Sequence, residues 1–142
     1  MNRWLAGLLV GVMLGCGAVQ TPRVRLQDDL RAFEKKIRWK KWSAAAKHVT
    51  AELRAGWLTQ HRKAGRGLEL TDVRIERVEA GPLPLKKAVV YFSIAWYRLP
   101  SMTVRERTWR QRWVHGRAGW MMMEETALDA EGEPVATPTD WP

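Results

Sequence analysis

The chain has 142 residues, with 24 Lys and Arg against 15 Asp and Glu and a net charge of +9. That length and its 46% hydrophobic content suit one packed domain, and a single cysteine excludes an internal disulfide framework. No glycine pattern fits a phosphate loop and no serine sits in a nucleophile elbow, so no cofactor is expected.

Met1-Asn2-Arg3 gives a positive start, Trp4 to Leu14 is apolar or glycine throughout, and Gly15-Cys16 closes the segment. About a dozen apolar residues are too few for a spanning helix, which needs roughly 20. The segment resembles a bacterial lipoprotein signal, in which a peptidase cuts before a lipidated cysteine. The resemblance implies a signal over residues 1–15, lipidation of Cys16 and a tether over 16–25. It also implies an address in the cell envelope. Gly17, where Asp would retain the protein in the inner membrane, points to the outer membrane if the organism has one. The alternative is an ordinary secretory signal cut after Ala18, which releases a soluble chain.

Leu26, Leu30, Phe33 and Ile37 recur on one helical face, with Asp28 and Asp29 in the expected first turn and Lys35, Lys36 and Arg38 in the last. Continued further, that helix would point Trp39 away from its apolar face, so it is expected to end near Arg38. Trp42, Ala46, Val49 and Leu53 predict a second helix with Ser43 as N-cap, closed by Gly56. Gln60 to Gly67 reads as a basic loop. The period then changes to two. Leu68 to Val78 predicts a strand with a phase slip near Asp72, and Ala88 to Leu99 the strongest strand. Met102 to His115 and Trp120 to Thr126 complete a four-stranded antiparallel meander. Two N-terminal helices on such a curved sheet make an α+β fold over residues 26–128.

Charge is unevenly placed. All 23 basic residues after the leader lie between Arg23 and Arg117, and the body to Leu128 carries 11 acidic residues, near +12, whereas residues 129–142 carry −4. That acidic, proline-bearing tail predicts disorder. A basic body near a membrane is drawn to anionic headgroups, by about 1 kcal/mol per well-placed Lys or Arg. Anionic lipid or an acidic envelope polymer is therefore an expected partner, beside a protein partner or small ligand. Export removes nucleic acid from the expected partners.

Trp42-x-x-Ala45-Ala46-x-x-Val49 and Gln111-x-Trp113…Gly119-Trp120, in this order of elements, resemble the nuclear transport factor 2-like superfold, a cystatin-like α+β roll. The resemblance implies a curved sheet wrapped over helices around a pocket. The usual plan has a third helix, for which only Trp57 to His61 could supply a remnant. The superfold hosts enzymes, binding modules and assembly domains, so it implies no reaction.

Strict alternation puts Arg105 and Arg107 on one face and Arg110 and Arg112 on the other, which would turn one pair toward the helices. A bulge near Thr108-Trp109 removes that conflict. All four arginines then form an outer basic stripe, and Val104, Glu106, Trp109, Gln111 and Trp113 face inward, with Tyr91 and Tyr97 joining them. Glu106 among tryptophans is a candidate general base. The alternative is a Glu106–Arg pair over a filled core.

Met121 and Met123 form a Met-x-Met pair that suits Cu(I), although methionine in strands commonly fills gaps. His48, His61 and His115 have no metal-site spacing. The run Lys35-Lys36-Ile37-Arg38-Trp39-Lys40-Lys41-Trp42 interleaves basic and aromatic residues, as an interfacial segment does; a helix end followed by a core Trp42 is the alternative. Three functions follow: a membrane-tethered binding module without catalysis, a small lyase or isomerase using Glu106, and a Cu(I)-handling lipoprotein.

Overall fold

The computed structural model describes residues 21–136. Cys16 and the leader lie outside them, as do residues 137–142. Helix α1 (Pro22–Arg38) starts one turn earlier than Leu26, because Thr21 Oγ1 accepts the Val24 N–H at 3.4 Å and Pro22 takes the first helical position. Part of the expected tether is therefore helix, and Asp28 and Asp29 fall outside its first turn. Leu26, Leu30, Phe33 and Ile37 are all buried, as their spacing requires.

The expected second helix is divided. A short α2 (Trp42–Ala45) and a 3-10 turn over Ala46–His48 give way to extended Val49. The break lets Val49 bridge Met122, and the Thr50 N–H bonds the Met122 carbonyl at 2.9 Å. A full third helix, α3 (Ala51–Ala64), then runs through Gly56 and most of the expected loop. Its Leu53, Trp57 and His61 are four residues apart and share one face.

Strands β1 (Leu68–Ala80), β2 (Lys87–Arg98), β3 (Arg105–Gly116) and β4 (Gly119–Leu128) form one antiparallel sheet in sequence order. Met102 to Val104 lie before β3 rather than in it, and are exposed. The helices cover one face, where Phe33 meets Trp113 edge-on at 5.3 Å and Phe92 at 5.7 Å. Among the described residues, all the buried apolar side chains lie between Leu26 and Leu128, so this stretch carries its own core. The register of β1 slips at two points, between Leu70 and Asp72 and between Ile75 and Arg77. The first is the slip read from the sequence.

The bulge expected at Thr108-Trp109 is absent from the β2–β3 pairing, which runs without a shift from Lys87↔Val114 to Trp96↔Arg105. The bulge is in β4 instead. Arg112 pairs with Glu124 and Trp113 with Met122, so Met123 is an extra residue.

The first part of the tail is ordered, contrary to expectation. Asp129 Oδ1 accepts the N–H groups of Glu131 and Glu133 at 3.0 and 2.8 Å, closing a turn. Leu128 then bridges Pro134, and the Val135 N–H bonds the Ala127 carbonyl at 3.0 Å. Val135 packs on the core beside these bonds, which is why the acidic turn returns along β4.

Candidate functional site

Unbroken alternation in β3 fixes two sets of side chains. Arg105, Arg107, Trp109, Gln111 and Trp113 share the helix-facing parity, and Glu106, Arg110 and Arg112 the opposite one. The four arginines therefore do not form one stripe. Arg110 lies opposite Tyr91, and Arg112 pairs with Glu124 at 2.6 Å on the outer face.

Glu106 belongs to that outer face. It accepts from Ser93 Oγ at 2.8 Å and from the Arg74 guanidinium, with its side chain half exposed. It is a cross-sheet ion pair, not a carboxylate among tryptophans. Tyr91 and Tyr97 also have outer parity. Arg77 lies 4.0 Å over the Tyr91 ring, and Tyr97 lines a shallow hollow of about 130 Å³ with Ser101, Thr103 and Arg105. Val104 is exposed before β3 begins. Of the seven expected inward residues, the structure brings together Trp109, Gln111 and Trp113.

What they surround is Glu125, which the sequence reading passed over. From Trp120 and Met122, period two would turn Glu124 inward. The extra Met123 shifts the phase, so Glu125 faces Gln111 and Glu124 faces Arg112. Glu125 accepts from Gln111 Nε2 at 2.7 Å and from the indole N–H of Trp57 at 3.1 Å. Gln111 is fixed in turn, because Trp113 Nε1 donates to its Oε1 at 3.1 Å. Two donated hydrogen bonds favour the charged carboxylate, yet burial outweighs them and pushes Glu125 up to about 7.

His61 completes the cluster. Its ring stacks on Trp57 at 3.7 Å, its Nδ1 bonds the Trp57 carbonyl at 2.7 Å, and its Nε2 is 3.8 Å from Glu125. An Nδ1–H donating to that carbonyl leaves Nε2 unprotonated on the Glu125 side. Burial holds His61 down to about 4. The ring is therefore neutral at neutral pH, and its contact with Glu125 is polar, not ionic.

A notch of about 260 Å³ opens beside Glu125 between α3 and the sheet, lined also by Leu53, Gly56, Trp57, Gln60 and Trp109. The arrangement can hold a small molecule against indole surface with one carboxyl for orientation. It can also give or take a proton near neutrality. Among the described residues no group of three or more His, Cys, Asp or Glu could hold a metal. Met121 lies opposite Val114 on β4, and Met123 is the exposed bulge residue. His48 is half buried against Phe33 and Trp113, and His115 lies at the end of β3 before the turn.

In the basic–aromatic run, Trp42 is a core residue and Trp39 is 65% exposed. Lys40 is spent on the sheet, bonding the Leu68 carbonyl at 2.8 Å and Glu69 at 3.2 Å. No helix among the described residues is long and apolar enough to cross a membrane.

No family model and no curated protein sequence matches this chain. Solved structures do. A nuclear transport factor 2-like protein of unknown function from Shewanella oneidensis is 13% identical, with a TM-score of 0.55, covering 76% of this chain and 99% of its own. A protein of the same kind with a cystatin-like fold, from Novosphingobium aromaticivorans, is 14% identical at TM-score 0.55, covering 79% and 84%. A candidate calmodulin-dependent kinase II association domain from Exiguobacterium sibiricum is 11% identical at 0.59, covering 78% and 95%. At such identities the likeness is one of fold: three helices on a four-stranded antiparallel sheet, in the nuclear transport factor 2-like, cystatin-like α+β arrangement.

Proposed function

We infer that this is an envelope-tethered binding module whose ligand site is the Glu125 notch. One observation carries the site: a carboxyl only 11% exposed, held by Trp57 and Gln111, borders an aromatic opening of about 260 Å³. The tether rests on the leader and Cys16. Native mass spectrometry of the chain isolated from its own envelope tests both parts. A diacylglyceryl mass on Cys16 supports the tether, and a bare thiol removes it. A small molecule retained by the wild type and lost in Glu125→Gln supports the notch; equal retention by both removes it.

A second reading is favoured by Glu125 alone. A carboxyl pushed up to about 7 can act as a general base at neutral pH, the role first considered for Glu106. In this reading the notch turns over a substrate with an acidic C–H, as a lyase or isomerase does. Solvent deuterium entering a bound ligand in wild type but not in Glu125→Gln distinguishes it from simple binding. Cu(I) handling would rest on Met121 and Met123 alone, and Cu(I) dialysis against Met121→Leu tests it.

A further inference from the structure

One end of the sheet gathers three segments far apart in sequence. Lys40 bonds the Leu68 carbonyl, which sets the turn after α1 against the start of β1. Arg98 is the cross-strand partner of Leu68, and its guanidinium bonds the Ala64 and Arg66 carbonyls at the end of α3, both at 2.8 Å. The Leu99 N–H bonds the Gly67 carbonyl at 3.2 Å, so the loop from β2 to β3 leaves from the same place.

These segments expose large apolar groups together: Trp39 at 65%, Leu99 at 60%, Met102 at 74% and Val104 at 58%. Lys35, Lys41, Arg62, Lys63 and Arg66 are exposed around them. The acids at this end of β1 and β3 are already paired, Glu69 with Lys40 and Glu106 with Arg74. The acidic turn Asp129–Glu133 lies at the same end, but beside β4, at the opposite edge of the sheet from β1.

We propose that this end of the domain docks on an anionic phospholipid surface, with Trp39, Leu99 and Met102 entering the interface and the surrounding lysines and arginines meeting lipid phosphates. Tryptophan suits the boundary between headgroup and chain, and basic residues gain from a negative surface. An acidic soluble polymer would use the cations but leave the four apolar groups in water. The chain enters the domain at Pro22, whose carbonyl accepts from the Trp120 indole near the β3–β4 turn. The 17 residues of α1 put that point about 25 Å from Trp39. The docking end is therefore remote from the point of entry, and none of its named residues lines the notch.

The test uses residues 17–142, which contain the whole core, in co-sedimentation with mixed phosphatidylcholine–phosphatidylglycerol vesicles and with pure phosphatidylcholine vesicles. Binding is expected to the mixed vesicles. Lys41→Glu with Lys63→Glu should weaken it roughly tenfold or more, and so should Trp39→Ser with Met102→Ser. Lys86→Glu with Arg117→Glu makes the same charge change at the far end and should leave binding within about twofold. All these side chains are exposed, and circular dichroism confirms folding. In brominated lipid, the emission lost between wild type and Trp39→Phe should be the quenched share. Glu125→Gln should bind as wild type, which keeps this result separate from that of the notch. No binding, equal loss from both charge pairs, or polyglutamate holding wild type and the Trp39/Met102 variant alike would each overturn the proposal.

Discussion

Gln111 and Glu125 meet across β3 and β4 at 2.7 Å only because one extra residue, Met123, lies between Glu125 and the Met122–Trp113 pair. The bulge reverses the two glutamates. Glu124 is sent to Arg112 on the outer face, and Glu125 is turned inward among Trp57, Gln111 and His61. A local irregularity of the sheet thus creates the most perturbed carboxyl among the described residues.

Stability should fall as pH rises through neutrality. Glu125 takes its proton at about 7 in the folded chain against 4.5 as its ordinary value. Its contribution is fully present below 4.5 and lost as pH rises through 7, worth about 3 kcal/mol at the limit. His61 runs the other way, because its value falls from 6.5 to about 4. Its contribution is present above 6.5 and lost as pH falls toward 4. His48, also lowered by burial, runs the same way as His61, so a decline above pH 6.5 has Glu125 as its source. Urea denaturation between pH 6.5 and 8.5 should show a decline in wild type and none in Glu125→Gln. A slope that survives in the variant would mean that Glu125 is not its source.

Gln111 should set where Glu125 titrates. Its amide bond is the larger of the two hydrogen bonds that lower the Glu125 value against desolvation. Gln111→Leu removes that donor and also leaves the Trp113 indole N–H without the Oε1 it bonds now. Glu125 should then titrate above 7 in a carbon-13 NMR titration, and the fold should weaken by about 1–3 kcal/mol from the orphaned indole. A fall in the Glu125 value would contradict the assigned hydrogen-bond direction.

The helix-facing set Leu26, Leu30, Phe33 and Ile37 and the meander were legible, because burial writes itself as period 3.6 or period 2. The β4 site was not. Met121-Met122-Met123-Glu124-Glu125 reads the same after a slip of one residue, so alternation cannot reveal which glutamate is inside. The arginines of β3 misplace the bulge, since alternation alone turns Arg105 and Arg107 to the same face as Trp109 and toward the helices. The strand tolerates this, since that parity at Arg105 and Arg107 carries an exposed and a half-buried position before reaching buried Trp109. The division of the second helix has a tertiary cause, the Val49–Met122 bridge, and only the short Trp57 to His61 remnant hinted at α3.

Glu106 should prove dispensable to the site. It lies on the outer face with Arg74 and Ser93, and exposed ion pairs contribute little. Glu106→Gln should leave the melting temperature and the Glu125 titration as they are in wild type. A displaced Glu125 value in that variant would show a coupling through the sheet that its geometry does not provide.

Two glycines of α3 and its end should respond oppositely to alanine. Gly56 is inside the helix, and a Cβ there would meet nothing within 4 Å. It costs backbone entropy without relieving a clash, so Gly56→Ala should stabilise by about 0.5–1 kcal/mol. Gly65 follows the helix, and a Cβ there would come within 2.7 Å of Trp42 Nε1 and 3.0 Å of the His61 carbonyl. The carbonyl belongs to the helix that positions Trp57, so it cannot retreat without disturbing the notch. Gly65→Ala should therefore destabilise by about 1–3 kcal/mol and alter the Glu125 titration as well. Chemical denaturation of the two variants checks the signs. Stabilisation by Gly65→Ala would mean that the Trp42 indole has room to move away from the end of α3.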